Sequence, residues 1–429
     1  MRVEPPVATD DAPTAARRRP ELDLVRMIVV VGLVFFHASL VFDSQDDYYV
    51  KNAQTVEFTS FIAGVAVLWA MPVLFFIAGF GARHSLRRRG PGGFAVERMR
   101  RLGVPLAFAT VTLIPVPQWL RLRADPAYHE SYWRFLPRFF RIRFDLTEFP
   151  FVIQGEHFET GHLWFVVLLL AFSLMLAPVV RLTPARVASA ARERLAALAA
   201  RRGFALLAGL PLGLVSALLG LEKEYAGWSR WAYLIFFLYG FAFAADGRLR
   251  DALRRDTPIV VVCGLVFPSA GLPMFLMAPG DPFTGMAPAA VAARALYGVA
   301  GWCWVLGILA LIDRLGRRRA AREDGGDGNN GGRTRRRVYA YLAEGVLPIY
   351  VLHQPVVVAV AYPVVRWDAP IAVKYAVIAT VSLVLTLAVY DLLVRRLPPV
   401  RLLFGMRPRP PRGSEPRTKS EPRQKGVIG

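Results

Sequence analysis

The sequence predicts an all-α fold: a polytopic integral membrane bundle of about ten transmembrane helices with both termini cytoplasmic. Three observations carry this. Hydrophobic residues make up 55% of the 429 positions and the mean hydropathy is +0.37, too apolar for an ordinary soluble protein. The formal net charge is nevertheless +21, so apolar and basic residues are segregated along the chain. The basic clusters also fall in alternate loops, as the positive-inside rule requires. This placement of charge beside apolar runs indicates membrane orientation and argues against a nucleic-acid partner. The two cysteines, Cys263 and Cys303, lie inside apolar runs. They form neither a disulfide framework nor a metal-ligand spacing, so no metal and no permanently bound cofactor is expected.

Residues 1–20, rich in Pro, Ala and Arg, read as a disordered basic cytoplasmic tail. The first span, Leu22–Phe42, is a near-continuous apolar run that carries Arg26 and His37. Arg17, Arg18 and Arg19 precede it as they would a signal peptide, but no small-residue cleavage site follows, so the helix is retained. The segment 43–57 carries Asp43, Asp46, Asp47 and Glu57 against Lys51 and is an outer loop. After a second span at 58–82, the loop 83–101 holds seven arginines, among them Arg98 and Arg101, against Glu97 alone, and lies inside. A third span covers 102–120. The long outer segment 121–161 balances six arginines with six acids. Its aromatic and arginine-rich stretch 131–144 reads as an interfacial helix.

Span four starts at His162 and runs to 180, followed by an Ala/Arg-rich inner loop. Spans five to eight fall at 203–221, 228–245, 257–278 and 288–312. Residues 316–337 read as a flexible inner linker between basic clusters. Spans nine (338–362) and ten (371–394) complete a membrane domain of residues 21–395. Residues 396–429 read as a second disordered basic tail. No fixed-period repeat and no matching pair of broken helices is visible, which weakens a transporter or flippase reading.

This topology assigns depth to the ionisable groups, which inside a membrane mark functional sites by default. Arg26 and His37 are eleven residues apart. At about 100° per residue they share a helix face, separated by roughly 16 Å along the axis. Arg26 lies at the inner end, His37 in the outer half. His162 and His353 fall at comparable outward depth, while Arg98 and Arg101 sit at the inner mouth. The plainer readings are a snorkelling arginine, topology-setting arginines, a helix-capping His162 and an inter-helix hydrogen bond from His353 and Gln354. Glu344 and Tyr350 are lesser candidates. Glu156, His157 and Glu159 near His162 give no zinc spacing.

Four segments carry a resemblance. They are the R-x10-H of Arg26 and His37, MPVLFFIAGF (Met71–Phe80) followed by R-x-x-R at Arg98 and Arg101, GHLWFVVLLL from Gly161, and LPIYVLHQPV from Leu347. Together they resemble the membrane acyltransferase-3 family, which includes O-antigen acetylases and periplasmic glucan succinyltransferases. The resemblance implies transfer of an acyl group, acetyl or succinyl in type, from cytoplasmic acyl-CoA to a hydroxyl of an extracytoplasmic glycan. A lipid or small molecule is the alternative acceptor. It implies His37 as general base with His353 and His162 as further catalytic residues, and Arg26, Arg98 and Arg101 holding the CoA end. The protein is then expected in the cytoplasmic membrane among lipid.

Overall fold

The computed structural model describes residues 20–323 and 331–407. The expected tail 1–19 and residues 408–429 lie outside the described residues, as do 324–330 of the expected linker. The fold is helical, as the apolar periodicity requires. Among the described residues, seven stretches are long and apolar enough to cross a membrane: Glu21–Leu40, Glu57–Arg123, Gly161–Leu182, Gly247–Leu276, Pro288–Arg318, Val338–Val364 and Ile371–Val394.

The stretch Glu57–Arg123 has 67 residues. Unbroken, it would reach about 100 Å, some three times the hydrocarbon thickness of a bilayer. It breaks at Gly90, where φ is 69°, just before Pro91, and so contains the expected second and third spans. The expected fifth and sixth spans are covered by shorter helices. Phe204–Leu219 falls short of the length needed to cross, and Arg230–Phe243 has 14 residues.

The helices in order are α1 (Pro20–Leu40), α2 (Glu57–Arg98), α3 (Val104–Thr112), α4 (Pro115–Arg123) and α5 (Tyr132–Phe139). After these come α6 (Trp164–Leu182), α7 (Ala185–Ala199), α8 (Phe204–Leu207), α9 (Leu210–Leu219) and α10 (Arg230–Phe243). The remainder are α11 (Gly247–Leu276), α12 (Pro288–Glu323), α13 (Gly331–Val364), α14 (Ile371–Val389) and α15 (Pro398–Leu403). Between α5 and α6 a small antiparallel hairpin pairs β1 (Ile142–Phe144) with β2 (Ile153–Gly155), a local exception to the all-α expectation.

Helix α5 is strongly amphipathic. Phe135 and Phe139 are buried and Trp133 is exposed, as an interfacial helix requires. The Ala/Arg-rich stretch after span four is itself a helix, α7. The expected linker 316–337 is helical at both ends, since α12 reaches Glu323 and α13 begins at Gly331. Ordered structure also runs past residue 395, where a tail was expected. Arg401, Phe404 and Met406 are buried.

Helix α1 packs on α13 and α14, α2 on α10 and α6, and α11 on α12. The α2–α10 crossing is set by a reciprocal pair of glycines. A Cβ on Gly79 would lie 1.8 Å from the Phe237 carbonyl oxygen, and one on Gly240 would lie 1.8 Å from that of Phe76. Only glycine at both positions lets the backbones come this close, the small-residue packing typical of membrane helices. A second apolar cluster joins the far end of α1 (Val34, Ala38) and the turn after it (Val41) to α13 (Val357, Val358, Ala361) and α14 (Ile378, Ala379). It fixes α1 against α13 beside the histidines.

Candidate active site

The three histidines singled out by sequence come together. The ring centroids of His37 and His353 are 5.1 Å apart and those of His162 and His353 are 5.0 Å apart. Each ring is positioned by a different element: His37 by α1, His353 by α13, and His162 by the 3-10 turn Gly161–Leu163 that starts α6.

His353 is fully buried. Its Nδ1 lies 2.5 Å from the Tyr350 carbonyl oxygen, one turn earlier in α13. A carbonyl can only accept, so Nδ1 carries the hydrogen and Nε2 keeps the lone pair. Among the described residues that Nε2 has no hydrogen-bond partner. His37 is half-buried, and its Nδ1 is likewise without a partner. Two unsatisfied ring nitrogens on neighbouring imidazoles are costly in an apolar interior unless a ligand completes them.

His162 is held at both nitrogens. Nε2 donates to the Val351 carbonyl at 3.1 Å, and Nδ1 lies 2.6 Å from the carboxamide oxygen of Gln354. With that oxygen inward, Gln354 accepts from an imidazolium. Turned over, its NH2 donates to the neutral ring. Gln354 therefore suits either protonation state of His162. The Tyr350 hydroxyl donates to the His162 carbonyl oxygen, tying the turn to α13. Gly161 has φ +48°, and a side chain there would meet Tyr49 and Gln354, so the turn presenting His162 needs glycine. This is the physical content of the GHLWF segment.

Tyr48 stacks on His37 with centroids 5.8 Å apart. The neighbouring Tyr49 hydroxyl donates to Glu159, which lies in the segment before α6. Burial holds the Glu159 carboxyl above its ordinary range. Tyr48 and Tyr49 carried no sequence signal. Glu159 was visible only as one of three ionisable residues near His162. His157 turns elsewhere, to Arg138 and Glu156.

A cavity of about 240 Å³ opens beside His37 and His162. Its walls are α1, through Val29, Gly32 and Leu33, and α2, through Val67, Ala70 and Met71. It runs along the α1 face that leads from His37 back toward Arg26.

The arginines gather at the other end of α1. Arg26 bonds Asp23 at 3.1 Å and the Ile77 carbonyl of α2 at 3.1 Å. The charges of Arg89, Arg98 and Arg101 interact with one another and with Arg26 around Glu97, and Arg407 interacts with Arg101. The Glu97 carboxylate pairs with Arg89 at 3.1 Å and Arg101 at 3.8 Å and accepts from Ser85. Arg98 caps, and Arg101 lies within, a π-helical turn, Met99–Gly103, a backbone irregularity common at functional sites. Arg89 and Arg407 join the cluster only in the fold. Glu344 belongs to neither centre, pairing instead with Arg401 at 2.8 Å.

Imidazoles gathered at one depth, guanidinium groups at the other end of the same helix and an apolar cavity between them define a membrane-embedded site with an acid–base centre. The chain belongs to the acyltransferase-3 family: residues 19–395 match its acyltransferase domain, so the protein is a multi-pass membrane acyltransferase. No curated protein and no solved structure matches the chain.

Proposed function

We propose that the enzyme takes an acyl group from cytoplasmic acyl-CoA and transfers it to a hydroxyl of an extracytoplasmic carbohydrate, such as a cell-envelope glycan, in the cytoplasmic membrane. The observation that carries this reading is the cavity lying between the arginine cluster and the three histidines along one face of α1. The CoA phosphates bind at the arginine end, where Arg98 and Arg101 offer planar donors suited to phosphate. Arg26 joins α1 to α2 at the same mouth. The acceptor arrives from the histidine end, past Tyr48 and Tyr49.

The chemistry follows from the ring nitrogens. The acceptor oxygen attacks the thioester carbonyl carbon while His37 takes its proton. Collapse of the tetrahedral adduct breaks the C–S bond, and the imidazolium returns the proton to the departing thiolate, giving the ester and free CoA. A base of this kind contributes about 10²- to 10⁴-fold. His353 and His162 set the polarity around His37, His353 through its unpartnered Nε2 and His162 through its paired ring.

The test is transfer of radiolabel from acyl-CoA, supplied to the cytoplasmic face of inverted membrane vesicles, into envelope glycans. Wild type, His37→Ala and Arg98→Gln are compared at matched expression. Wild type is expected to transfer, His37→Ala to fall at least a hundredfold in rate, and Arg98→Gln to need more donor. Label in the lipid fraction alone would move the acceptor to a lipid. Wild-type activity retained by His37→Ala would remove the assigned base.

A further inference from the structure

We infer that the transferred group is a hydrocarbon acyl chain longer than acetyl and without a free carboxylate, and that its chain occupies the cavity between α1 and α2. This rests on the acyl-transfer reading and refines the acetyl or succinyl expectation.

Size is the first argument. An apolar cavity of about 150 Å³ accommodates a six-carbon aromatic ring. The cavity beside His37 measures about 240 Å³, so an acetyl group would leave most of it empty.

Chemistry is the second. Val29, Leu33, Val67, Ala70 and Met71 offer no hydrogen bond from their side chains, and no Lys or Arg side chain lines the space. A succinyl carboxylate would be buried there without a counter-charge, which a low-polarity site strongly disfavours.

Position is the third. The polar groups of the lining are His37, His162, the Tyr350 hydroxyl, which is spent on the His162 carbonyl, and the indoles of Trp69 and Trp164, so a chain in the cavity places its carbonyl at the imidazole end. At the opposite end, Ile28 lies only two residues beyond Arg26, which keeps the donor end of α1 within reach. The side opening passes Gly32 and Ile28, both exposed on the bundle surface, so a chain longer than the cavity continues among hydrocarbon. Gly32 makes the space: a Cβ there meets nothing within 4 Å. Glycine in a helix interior is otherwise unfavourable relative to alanine.

The experiment uses the full-length protein in nanodiscs and an octanoyl-CoA carrying a diazirine at the end of its chain. After illumination, label is expected in the peptides holding Val29–Phe36 and Ala66–Met71. Unmodified octanoyl-CoA should compete at least about tenfold better than succinyl-CoA, and Gly32→Leu should reduce labelling about tenfold. Gly32→Leu raises helix propensity and enters open space, and Gly32→Ala with a thermal-unfolding control separates filling from misfolding. Equal competition by succinyl-CoA, labelling indifferent to Gly32→Leu, or labelling that octanoyl-CoA does not displace (a bilayer lipid in the cavity) would each overturn the inference. The vesicle transfer assay run in parallel separates the two claims. Transfer without cavity labelling sinks the chain-binding site and leaves the reaction. Displaceable labelling without transfer keeps the site and sinks the reaction.

Discussion

The imidazoles of His37 and His353 lie 5.1 Å apart, tilted by 43°, each with one ring nitrogen lacking a protein partner. The two nitrogens differ in preparation. The Tyr350 carbonyl fixes the tautomer of His353, whereas among the described residues no hydrogen bond to His37 Nδ1 fixes that of His37. His37 is also the one of the two that reaches the cavity.

This difference predicts a graded response. His37→Ala is expected to lose at least about a hundredfold in transfer rate. His353→Gln, which keeps polarity but not basicity, is expected to lose rate with little change in the donor KM. Initial-rate kinetics on solubilised enzyme decide it. A donor KM that rises with unchanged maximal rate in His353→Gln would place that residue in binding instead.

Gln354 is a positioning residue for His162. Gln354→Leu removes the side chain 2.6 Å from Nδ1 while approximately conserving volume. Loss of a buried hydrogen-bond partner costs about 1–3 kcal/mol, so a modest drop in thermal stability is expected. The pH profile of transfer should also change shape, because the ring loses the group that suits both its states. Gln354→Glu, which still accepts a hydrogen bond, should restore part of the profile. An unchanged profile in Gln354→Leu would leave only a structural role.

Glu97 organises the arginine end. Glu97→Gln removes the carboxylate around which Arg89, Arg98 and Arg101 gather. The donor KM is expected to change while the acceptor KM does not, because the guanidinium groups lose their anchor and repel one another. Titration with acyl-CoA and with its dephosphorylated analogue checks this, since the analogue should be less affected.

The Tyr49–Glu159 pair gives a pH dependence of stability. Burial raises the Glu159 pKa above its ordinary value of 4.5. In the window above 4.5 the folded chain therefore keeps a proton that the unfolded chain has released, and stability falls as pH rises. Above the folded pKa the loss is complete. Glu159→Gln keeps an acceptor for Tyr49 but carries no charge. It is expected to match wild type near pH 4 and to exceed it as pH rises above 4.5 in thermal unfolding. A constant difference across that range would contradict the assignment.

The α2–α10 crossing is expected to be intolerant of a single methyl group. Gly79→Ala or Gly240→Ala forces two backbones apart and should cost about 2 kcal/mol or more, read as lower thermal stability. The double variant should cost less than the sum, because one separation serves both methyls.

Much of this arrangement was legible in the sequence, for a physical reason. Burial in a membrane makes each ionisable residue conspicuous against an apolar run, so Arg26, His37, His162 and His353 stood out, and loop charge assigned their depth. The resemblance to a family then named the chemistry. Tyr48, Tyr49 and Gln354 were harder to read. Their roles depend on contacts between segments far apart in sequence, and tyrosine and glutamine carry no local periodicity. The cavity was invisible for a different cause: its key residue, Gly32, contributes by having no side chain. The break at Gly90 was legible, because Gly90, Pro91, Gly92 and Gly93 fall in the loop expected at 83–101, whereas the shortness of α10 was masked by Ala244 and Ala245, which extend its apolar run.

The stretch after residue 395 has a consequence for where the protein can be cut. The family match ends there, yet Arg401 reaches back to Glu344, and a Cβ on Gly405 would lie 2.4 Å from the Arg101 carbonyl oxygen. The folding unit is thus longer than the unit of shared ancestry. A gene fragment trimmed to the matched boundary would remove the strap that lies beneath the arginine mouth, and a fusion partner joined directly at residue 396 would take its place. Expression designs and chimeras between relatives should keep the chain at least through Arg407.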